Sequence, residues 1–505
     1  MHSSAEDQLL TSKWGDNMRK LRWVMTTCTM VLFLAMMPVA SPAQTFTTLH
    51  SFNGKDGAYP SAGLVQLDNG NLYGTTVEGG ATTVNGTVFK ITPTGKLTSV
   101  HTFKEVEGSN PETGLIQATD GNLYGTTLDG GTFGLGAIFK ITASGKLTSL
   151  YSFCPDPVDS CPDGYSPFAG LVQGMDGNLY GATSLGGQRG CGPDGQGCGT
   201  ISKITPGGVY TVLHQFIGSD GNGVLASLIQ GTNGNFYGMS QSGGAMDDGT
   251  VFQITPSGSL TTLYSFCARS GCTDGSLPTG ALVQGTDGGF YGTTLVGGSG
   301  CAGQGCGTIF KITPKGRLTT LYRFCSQTNC RDGAEPYAGL IQATDGNFYG
   351  TTALNGGNGY GTIFKITPKG KLTTLHDFCS KSSCTDGGES LAPLVQDTNG
   401  NFYGTTVRGG TNANGYGTVF TLSVGLGPFV KTNPRAGKVG AKIEILGTDL
   451  TGATSVTFNG TPAVFNVVSK TLIAAHVPSG ATTGKIQVKS PSRTLSSNVP
   501  FVVLP

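Results

Sequence analysis

The sequence is poor in charged residues and in tryptophan. Of its 505 residues only 12% are charged, about half the usual share, and the formal net charge is +1. Both tryptophans, Trp14 and Trp23, lie near the N-terminus. So balanced a charge argues against nucleic-acid binding along the whole chain. The 37% of hydrophobic residues argue against disorder, although 83 residues are glycine.

Motifs of the common catalytic classes are also missing. There is no nucleophile motif, phosphate-binding loop or zinc signature, so no cofactor is expected. Four histidines occupy one repeated position that holds tyrosine in other repeats, which favours a structural ring over a catalytic base. These residues are His50, His101, His214 and His376, with Tyr151, Tyr264 and Tyr322 as their counterparts. No apolar run of about 20 residues follows the N-terminal region, so no later membrane span is expected.

The N-terminal segment has the pattern of an export signal. Basic residues between Lys13 and Arg22 precede an apolar stretch from Trp23 to Ala40, and the small residues Ser41 and Ala43 follow. This order predicts a signal peptide over residues 1–43, cleaved after Ala43. The alternative is a single membrane anchor. The prediction places the protein outside the cell, either secreted or on the cell surface.

The rest of the chain is dominated by a repeat. The segment Asn71-Leu72-Tyr73-Gly74 recurs six more times, at spacings of 51 to 58 residues. Each repeat predicts four short strands punctuated by Gly, Pro or Asn. In the first repeat they are Gly63–Gln66, Leu72–Thr76, Thr87–Thr92 and Leu97–Phe103. An Asn-Gly or Asp-Gly pair joins the first two strands of every repeat, as in a tight hairpin.

Four-stranded units with a period near 55 residues are typical of β-propeller blades. The seventh repeat ends with its third strand, Val419–Val424, whereas the segment Phe46–Phe52 matches the fourth-strand segment Leu372–Phe378. We therefore predict a seven-bladed β-propeller closed by the N-terminal strand. An extended β-solenoid is the alternative. Gln66 and its counterparts in the other repeats are expected to satisfy backbone groups near the channel.

The repeat stops at Gly425-Leu426-Gly427, and an alternating pattern follows to the C-terminus. Six strands are predicted there, in a region without cysteine. They are Lys442–Leu446, Ser455–Phe458, Ala463–Val468, Leu472–His476, Gly484–Lys489 and Val499–Val503. The domains predicted are residues 1–43, 44–425 and 426–505, and the fold class is all-β, with a small immunoglobulin-like β-sandwich after the propeller.

Two resemblances accompany this division. The unit Tyr-Gly-Thr-Thr, Gly-Gly, Gly-Thr-Val/Ile-Phe-Lys-Ile-Thr-Pro, Leu-Thr-Thr-Leu resembles the bacterial GloVer tandem repeat over about residues 46–424. It implies a secreted or surface setting and no transferable catalytic residues. The C-terminal region, with Phe458-Asn459-Gly460 and Val477-Pro478, resembles the IPT/TIG domain. That resemblance implies a spacer or accessory module.

Twelve of the 13 cysteines follow the predicted signal peptide and form six local pairs. The predicted export, the even number of cysteines and the short spacing within each pair favour disulfides over a metal site. All six pairs fall in the long connections, which leave one face of a propeller. The predicted pairs are Cys154 with Cys161, Cys191 with Cys198, Cys267 with Cys272, Cys301 with Cys306, Cys325 with Cys330, and Cys379 with Cys384.

That face also carries the candidate ligand-binding residues. A carboxylate recurs in the connection between blades, and it either contacts cations or sugar hydroxyls or caps its own turn. The aspartates are Asp56, Asp163, Asp220, Asp274, Asp332 and Asp386, and Glu107 takes the place in the second repeat. Asp247 and Asp248 either form part of an acid/base pair, bind Ca²⁺ or are simply solvated. Tyr59, Tyr165 and Tyr337, with Phe168 and Tyr360, are candidates for stacking on a ligand.

These features together predict a monomeric exported protein without enzymatic activity. It would bind an extracellular polysaccharide or another envelope component through the loop face, in binding or adhesion. An extracellular lyase or hydrolase acting on carbohydrate, and a purely structural envelope protein, are the alternatives. Residues 428–505 carry a net charge of +6 and residues 44–427 a net charge of −6. The basic sandwich is therefore a solvated surface, a contact for an anionic polymer or a partner for the acidic propeller.

Overall fold

The computed structural model describes residues 44–155, 161–192, 195–298 and 305–505. The predicted signal peptide and Cys301 lie outside these ranges. The described residues form β-strands and a few 3-10 turns, and they contain no α-helix. No helix in this part of the chain is long and apolar enough to cross a membrane. The 3-10 turns are Glu105–Glu107, Ser270–Cys272, Thr328–Cys330, Ser382–Cys384 and Leu450–Gly452.

The repeats fold into seven four-stranded antiparallel sheets within the described ranges, which resemble propeller blades. In the first six the strands pair in chain order, so that the short first strand is at one edge. Sheet 1 contains β2 (Val65–Gln66), β3 (Leu72–Thr76), β4 (Thr87–Ile91) and β5 (Leu97–Thr102). Sheet 2 contains β6 (Ile116–Gln117), β7 (Leu123–Thr127), β8 (Ala137–Ile141) and β9 (Leu147–Ser152). Sheet 3 contains β10 (Val172–Gln173), β11 (Leu179–Ala182), β12 (Thr200–Ile204) and β13 (Tyr210–Gln215).

The remaining four sheets repeat the arrangement. Sheet 4 contains β14 (Ile229–Gln230), β15 (Phe236–Ser240), β16 (Thr250–Ile254) and β17 (Leu260–Ser265). Sheet 5 contains β18 (Val283–Gln284), β19 (Phe290–Thr294), β20 (Thr308–Ile312) and β21 (Leu318–Arg323). Sheet 6 contains β22 (Ile341–Gln342), β23 (Phe348–Thr351), β24 (Thr362–Ile366) and β25 (Leu372–Asp377). Sheet 7 contains β26 (Val395–Gln396), β27 (Phe402–Thr406), β28 (Thr418–Ser423) and the N-terminal β1 (Thr45–Ser51).

The predicted closure by the N-terminal strand is confirmed. Strand β1 pairs antiparallel with β28, with Thr45 opposite Ser423. The first and last sheets also share a side-chain contact, because the Gln66 amide donates to Thr398 Oγ1 (2.9 Å) and accepts from the Thr398 N–H (3.1 Å). Between five other pairs of neighbouring sheets, a backbone N–H likewise donates to the side-chain oxygen of a glutamine. The accepting residues are Gln173, Gln230, Gln284, Gln342 and Gln396.

The core lies between neighbouring sheets. The second strand of each sheet buries a tyrosine whose hydroxyl reaches the Asx residue of the adjacent turn, as Tyr124 does with Asp120 at 2.7 Å. A buried phenol needs such a partner. The ring packs against the next sheet, for example Tyr291 on Phe348 with centroids 4.0 Å apart. The glycine after each tyrosine is required by packing, because a Cβ on Gly74 would lie 2.7 Å from Phe89.

The C-terminal region is a two-sheet immunoglobulin-like sandwich around one hydrophobic cluster. One sheet contains β29 (Lys431–Asn433), β31 (Lys442–Leu446), β35 (Leu472–His476) and β34 (Phe465–Ser469). The other contains β33 (Thr461–Pro462), β32 (Ser455–Phe458), β36 (Ile486–Lys489) and β37 (Thr494–Ser496). Strands β30 (Ala436–Lys438) and β38 (Val502–Leu504) form a separate parallel pair. The predicted strands are present. The sequence did not predict β29, β30, β33 and β37, because a strand of two or three residues is too short to show an alternation of apolar and polar residues.

The sandwich contacts the tight turns of sheets 1 and 7. Thr471 Oγ1 donates to the Asp68 carbonyl (2.7 Å), and the Phe429 N–H donates to the Thr398 carbonyl (3.0 Å). Lys431 donates to the Gln396 carbonyl, and burial lowers its pKa to about 8. The contact between a basic sandwich and the acidic repeat region, one of three alternatives raised by the charge distribution, is therefore present.

Candidate functional site: the long-loop face

The long connections of all seven sheets leave the same side of the repeat region. We call this side the long-loop face. It consists of the connections between the second and third strands of a sheet, such as residues 77–86, and of those between sheets, such as residues 103–115.

Five of the six predicted disulfides form on this face. Cys306 is also disulfide-bonded, and Cys301, its predicted partner, lies outside the described residues. Cys154, Cys161 and Cys198 are buried, so their sulfur atoms hold the loops together and do not face a ligand. The five bonds join Cys154 to Cys161, Cys191 to Cys198, Cys267 to Cys272, Cys325 to Cys330, and Cys379 to Cys384.

Each connection between sheets contains one pair of side chains, a ring from the fourth strand and a carboxylate from the loop. The two repeated positions noted in the sequence therefore meet in space. The Nε2–carboxylate distances are 2.9 Å (His50–Asp56), 3.0 Å (His101–Glu107), 2.8 Å (His214–Asp220) and 3.3 Å (His376–Asp386). The hydroxyl–carboxylate distances are 2.7 Å (Tyr151–Asp163), 2.7 Å (Tyr264–Asp274) and 2.8 Å (Tyr322–Asp332).

In the disulfide-bonded connections these carboxylates are buried anchors of the loop. Asp274, Asp332 and Asp386 have no exposed surface, and Asp163 has little. Asp332 accepts hydrogen bonds from the Tyr322 hydroxyl and from the N–H groups of Ser326 (3.0 Å) and Gln327 (3.3 Å). The geometry therefore gives these aspartates the turn-capping role that was weighed against ligand binding. Asp56 and Asp220 keep some exposure and are still candidates for ligand contact.

Burial and hydrogen bonding have opposing effects on the pKa values of the His376–Asp386 pair. Burial raises the pKa of Asp386, but the Ser380 hydroxyl and the N–H groups of Lys381 and Ser380 outweigh it, so the pKa is lowered overall. Burial lowers the pKa of His376 in spite of the nearby Asp386. This pair is therefore a carboxylate beside a neutral imidazole at neutral pH, and it has little access to solvent.

The two adjacent carboxylates at Asp247 and Asp248 have different partners. Asp247 Oδ1 accepts the Gly243 N–H (2.9 Å), and Asp248 Oδ1 accepts the Ser276 hydroxyl (2.6 Å). Asp248 also lies close to the sulfur atoms of Cys267 and Cys272. Those sulfurs are joined in a disulfide, so they do not offer the thiolates that a metal site needs.

The predicted aromatic residues do not form one platform. Tyr59 meets Tyr416 edge to face with centroids 5.9 Å apart, and the Tyr165 hydroxyl donates to Gln196 (2.8 Å). Tyr337 lies just before the first strand of sheet 6, where burial and then the charge of Glu112 raise its pKa. Tyr337 and Glu112 occupy equivalent places in sheets 6 and 2. The charge of Glu112 therefore acts on Tyr337 although the two residues belong to different sheets.

The sequence did not reveal how the connections are joined. In each connection between sheets, the residue after the isolated β-bridge adopts a positive φ, which is near +55° in Tyr59, Ser166 and Leu277. This residue forms backbone hydrogen bonds to the connections between the second and third strands of the two neighbouring sheets. The Leu277 N–H donates to the Asp248 carbonyl, and the Leu277 carbonyl accepts from the Leu295 N–H. A proline follows this residue in five connections, which was the only signal available. The conformation costs about 1 kcal/mol or more for a non-glycine residue, so these bonds must maintain it.

Large apolar side chains are exposed mainly on this face. Within the described part of the repeat region, seven of the eight large hydrophobic residues with high exposure lie in its connections, and Val209 lies on the opposite side. The seven are Val84, Val106, Phe133, Ile217, Met246, Leu354 and Tyr360. They belong to sheets 1, 2, 4 and 6 and to the connections after sheets 1 and 3, so the exposed apolar residues are not confined to one sheet.

Comparison with known proteins agrees with this architecture. The model of the Gloeobacter/Verrucomicrobia repeat matches residues 35–193 and 194–420, and the model of the IPT/TIG domain matches residues 430–503. No curated protein sequence matches the chain.

Among solved structures, the extracellular domain of a proposed hybrid two-component system from B. thetaiotaomicron is similar at 12% identity and a TM-score of 0.48. The match covers 92% of this chain and spans 60% of that one. A structural genomics protein of unknown function from Bacteroides thetaiotaomicron is similar at 16% identity and a TM-score of 0.39, with coverages of 75% and 76%. Because the two family models together cover most of the sequence, the chain belongs to the Gloeobacter/Verrucomicrobia repeat family and carries a C-terminal IPT/TIG domain.

Proposed function

We propose that this protein is an exported, non-enzymatic binding or adhesion protein that presents the long-loop face to an extracellular ligand, with polysaccharide as the first candidate. The disulfides support export, because such bonds persist in oxidising compartments. The hydrogen bonds of the IPT/TIG domain to the repeat region, among the described residues, lie on the tight-turn side and not on the long-loop face. This domain would act as a spacer or anchor.

The concentration of exposed apolar residues on one face is the observation that carries the proposal. A soluble protein usually scatters such side chains, and their accumulation on one surface is typical of an interaction site. Here Phe133, Met246 and Tyr360 lie in the connections between the second and third strands of three different sheets. The spacing favours an extended ligand that makes several contacts.

The rigidity of the face supports the same conclusion. Disulfides close five connections, and the carboxylate–ring pairs hold the connections between sheets. A surface that is already ordered loses little conformational entropy when it binds. Variable loops on a rigid scaffold are a common place for recognition.

The experiment is a binding assay on soluble and insoluble polysaccharides, with each supernatant analysed for cleavage products. The double variant F133S/M246S removes two apolar contacts from the long-loop face, and V209S removes one exposed apolar residue from the opposite side. We expect retention without products, a loss of about tenfold or more in affinity for F133S/M246S and no change for V209S. Equal affinity of all three proteins for every retained polysaccharide would contradict the proposal.

A carbohydrate-active enzyme is the second candidate, and one observation favours it. Burial, followed by the charge of Asp129, raises the pKa of Glu112, while Asn110 donates to Asp129 at 2.9 Å. A carboxyl with a raised pKa beside a second carboxylate is the arrangement used for acid catalysis of glycoside cleavage. Release of sugar products by the wild type, abolished in E112Q, would favour this candidate over the non-enzymatic one.

A further inference from the structure

A polar groove crosses the long-loop face at the junction before sheet 6. Its volume is about 290 Å³, and it is lined by Thr328, Asn329, Arg331, Gly356 and Gly357. One wall is the disulfide-bonded connection between sheets 5 and 6, and the other is the connection between β23 and β24. This volume is slightly below the usual range of about 300–1,000 Å³ for small-molecule sites, so it suits one sugar ring of a longer chain.

Both walls are held in place. The Cys325–Cys330 disulfide closes the first wall, and the buried Asp332 caps it from below. The second wall is joined to the first by the Gly356 N–H, which donates to the Cys330 carbonyl at 3.0 Å. The Gly357 N–H donates to Asp377 Oδ1 at 2.7 Å. The groove therefore exists before a ligand arrives.

The polar side chains of the groove are free to bind. Among the described residues, no hydrogen bond or ion pair engages the Arg331 guanidinium, the Thr328 hydroxyl or the Asn329 amide. All three residues are exposed. Together they offer a planar cation, a hydroxyl and an amide on one rigid wall.

The arginine distinguishes this groove from its two closest counterparts. The equivalent turns are Ser270–Cys272 and Ser382–Cys384, and each is followed by a threonine, Thr273 or Thr385, where this one has Arg331. The same turn and disulfide are therefore stable without a cation at that place. Turn formation therefore does not require Arg331, and its guanidinium is available to a ligand.

We propose that this groove binds a uronic acid unit of an acidic polysaccharide. The Arg331 guanidinium matches a carboxylate in bidentate geometry, and Thr328 and Asn329 can bond the ring hydroxyls. This assignment rests on the proposed function and names the ligand class of one site on the same face.

The test compares two variants of the full mature chain. R331T installs the residue found in both counterpart turns, so folding should be preserved. K381T removes one exposed charge from the neighbouring connection and is the control for net charge. The probes are polygalacturonate, dextran sulfate and neutral dextran, with affinity measured by titration calorimetry at two salt concentrations.

We expect polygalacturonate to bind most tightly, R331T to weaken it about tenfold or more and K381T to weaken it less than about twofold. Equal affinity of R331T and wild type for polygalacturonate overturns the assignment, as does tighter binding of either dextran. If F133S/M246S still weakens binding while R331T does not, the assignment is wrong and the proposed function stands. If no polysaccharide from either assay binds the wild type, the assignment is wrong, and so is polysaccharide as the ligand of the proposed function.

Discussion

The connections between sheets fall into two sets within one molecule. Three are short and contain no cysteine, and in each the ring is histidine and the acid follows six residues later. Four are longer and disulfide-bonded, with the acid ten or twelve residues after the ring. In the short set the acid is partly exposed, and in the long set it is buried or nearly so.

This difference shows what the disulfide adds. The carboxylate–ring pair is present in both sets, so the disulfide does not replace it. The extra turn closed by the cysteines covers the carboxylate, which must then be satisfied inside the protein. In three of the four cases a tyrosine hydroxyl and backbone N–H groups supply the donors. The longer tyrosine reaches a carboxylate that lies farther along the chain.

Removing the acid should separate the two sets most strongly. D332A leaves the N–H groups of Ser326 and Gln327 without an acceptor under the turn, and the Tyr322 hydroxyl is left with the Ser326 hydroxyl. We therefore expect a loss of about 3 kcal/mol in the free energy of unfolding. D56A affects a pair that water can reach, and we expect a loss of about 1 kcal/mol. Denaturant unfolding of both variants measures the contrast. Equal losses would mean that burial of the acid is unimportant.

Removing a disulfide should have the next largest effect. The variant C379S/C384S opens a loop of five residues, and loop-closure entropy predicts a loss of about 2 kcal/mol. The midpoint of denaturant unfolding reports this loss, and reducing agent provides an independent check on the wild type. An unchanged midpoint would show that the carboxylate–ring pair alone maintains the turn.

Exchanging the ring should have opposite effects in the two sets. His376 is the exception among the long connections: its buried Nε2 lies 3.3 Å from Asp386 and has no hydrogen-bond partner among the described residues. H376Y should restore the tyrosine–aspartate bond and stabilise the protein by about 1 kcal/mol. The stacked partner Phe46, 3.8 Å from His376, tolerates this change because Tyr210 stacks on Tyr151 in the same way.

H214Y is the matched variant in a short connection. It should destabilise by about 1 kcal/mol, because the larger ring cannot fit the 2.8 Å contact with Asp220. Thermal unfolding of both variants gives the sign. If H376Y and H214Y both stabilised the protein, the effect of the ring would not depend on the length of the connection.

Acid should produce the smallest effect. Burial raises the pKa of Asp220, but His214 and the Ile217 N–H outweigh it, and the pKa falls below the ordinary value of 3.8. The unfolded chain then binds more protons near that pH, so the stability from Asp220 is present above 3.8 and is lost as pH falls through the lower folded pKa. D220N should flatten the pH dependence of unfolding there. A slope identical to that of the wild type would contradict this origin.

Local signals made most of the fold predictable. The repeat period, the Asx-Gly turns and the match between Phe46–Phe52 and Leu372–Phe378 indicated the four-stranded units and the closing strand. The bounds of Leu72–Thr76 agree with the prediction, because Gly70-Asn71 comes directly before the strand and Gly79-Gly80 follows soon after it. Cysteines five to seven residues apart made the disulfides predictable in the same way.

Contacts between connections were not predictable. His50 and Asp56 were each recognised as repeated positions, but only the folded connection brings them to 2.9 Å. The groove of Arg331 needs two connections that are separate in sequence. Lys431 bonds to Gln396 through the placement of the sandwich, which no local pattern encodes.

Pairing of the first strand with the last has a consequence for biosynthesis. Thr45 pairs with Ser423, so a chain made from its N-terminus must hold β1 unpaired until almost the whole repeat region has been produced. An unpaired strand edge invites association with other chains. Five of the seven residues in β1 are threonine, serine or histidine. This polar composition favours solvation of the strand while it is unpaired. The polarity of this strand protects the nascent chain as well as completing the last sheet.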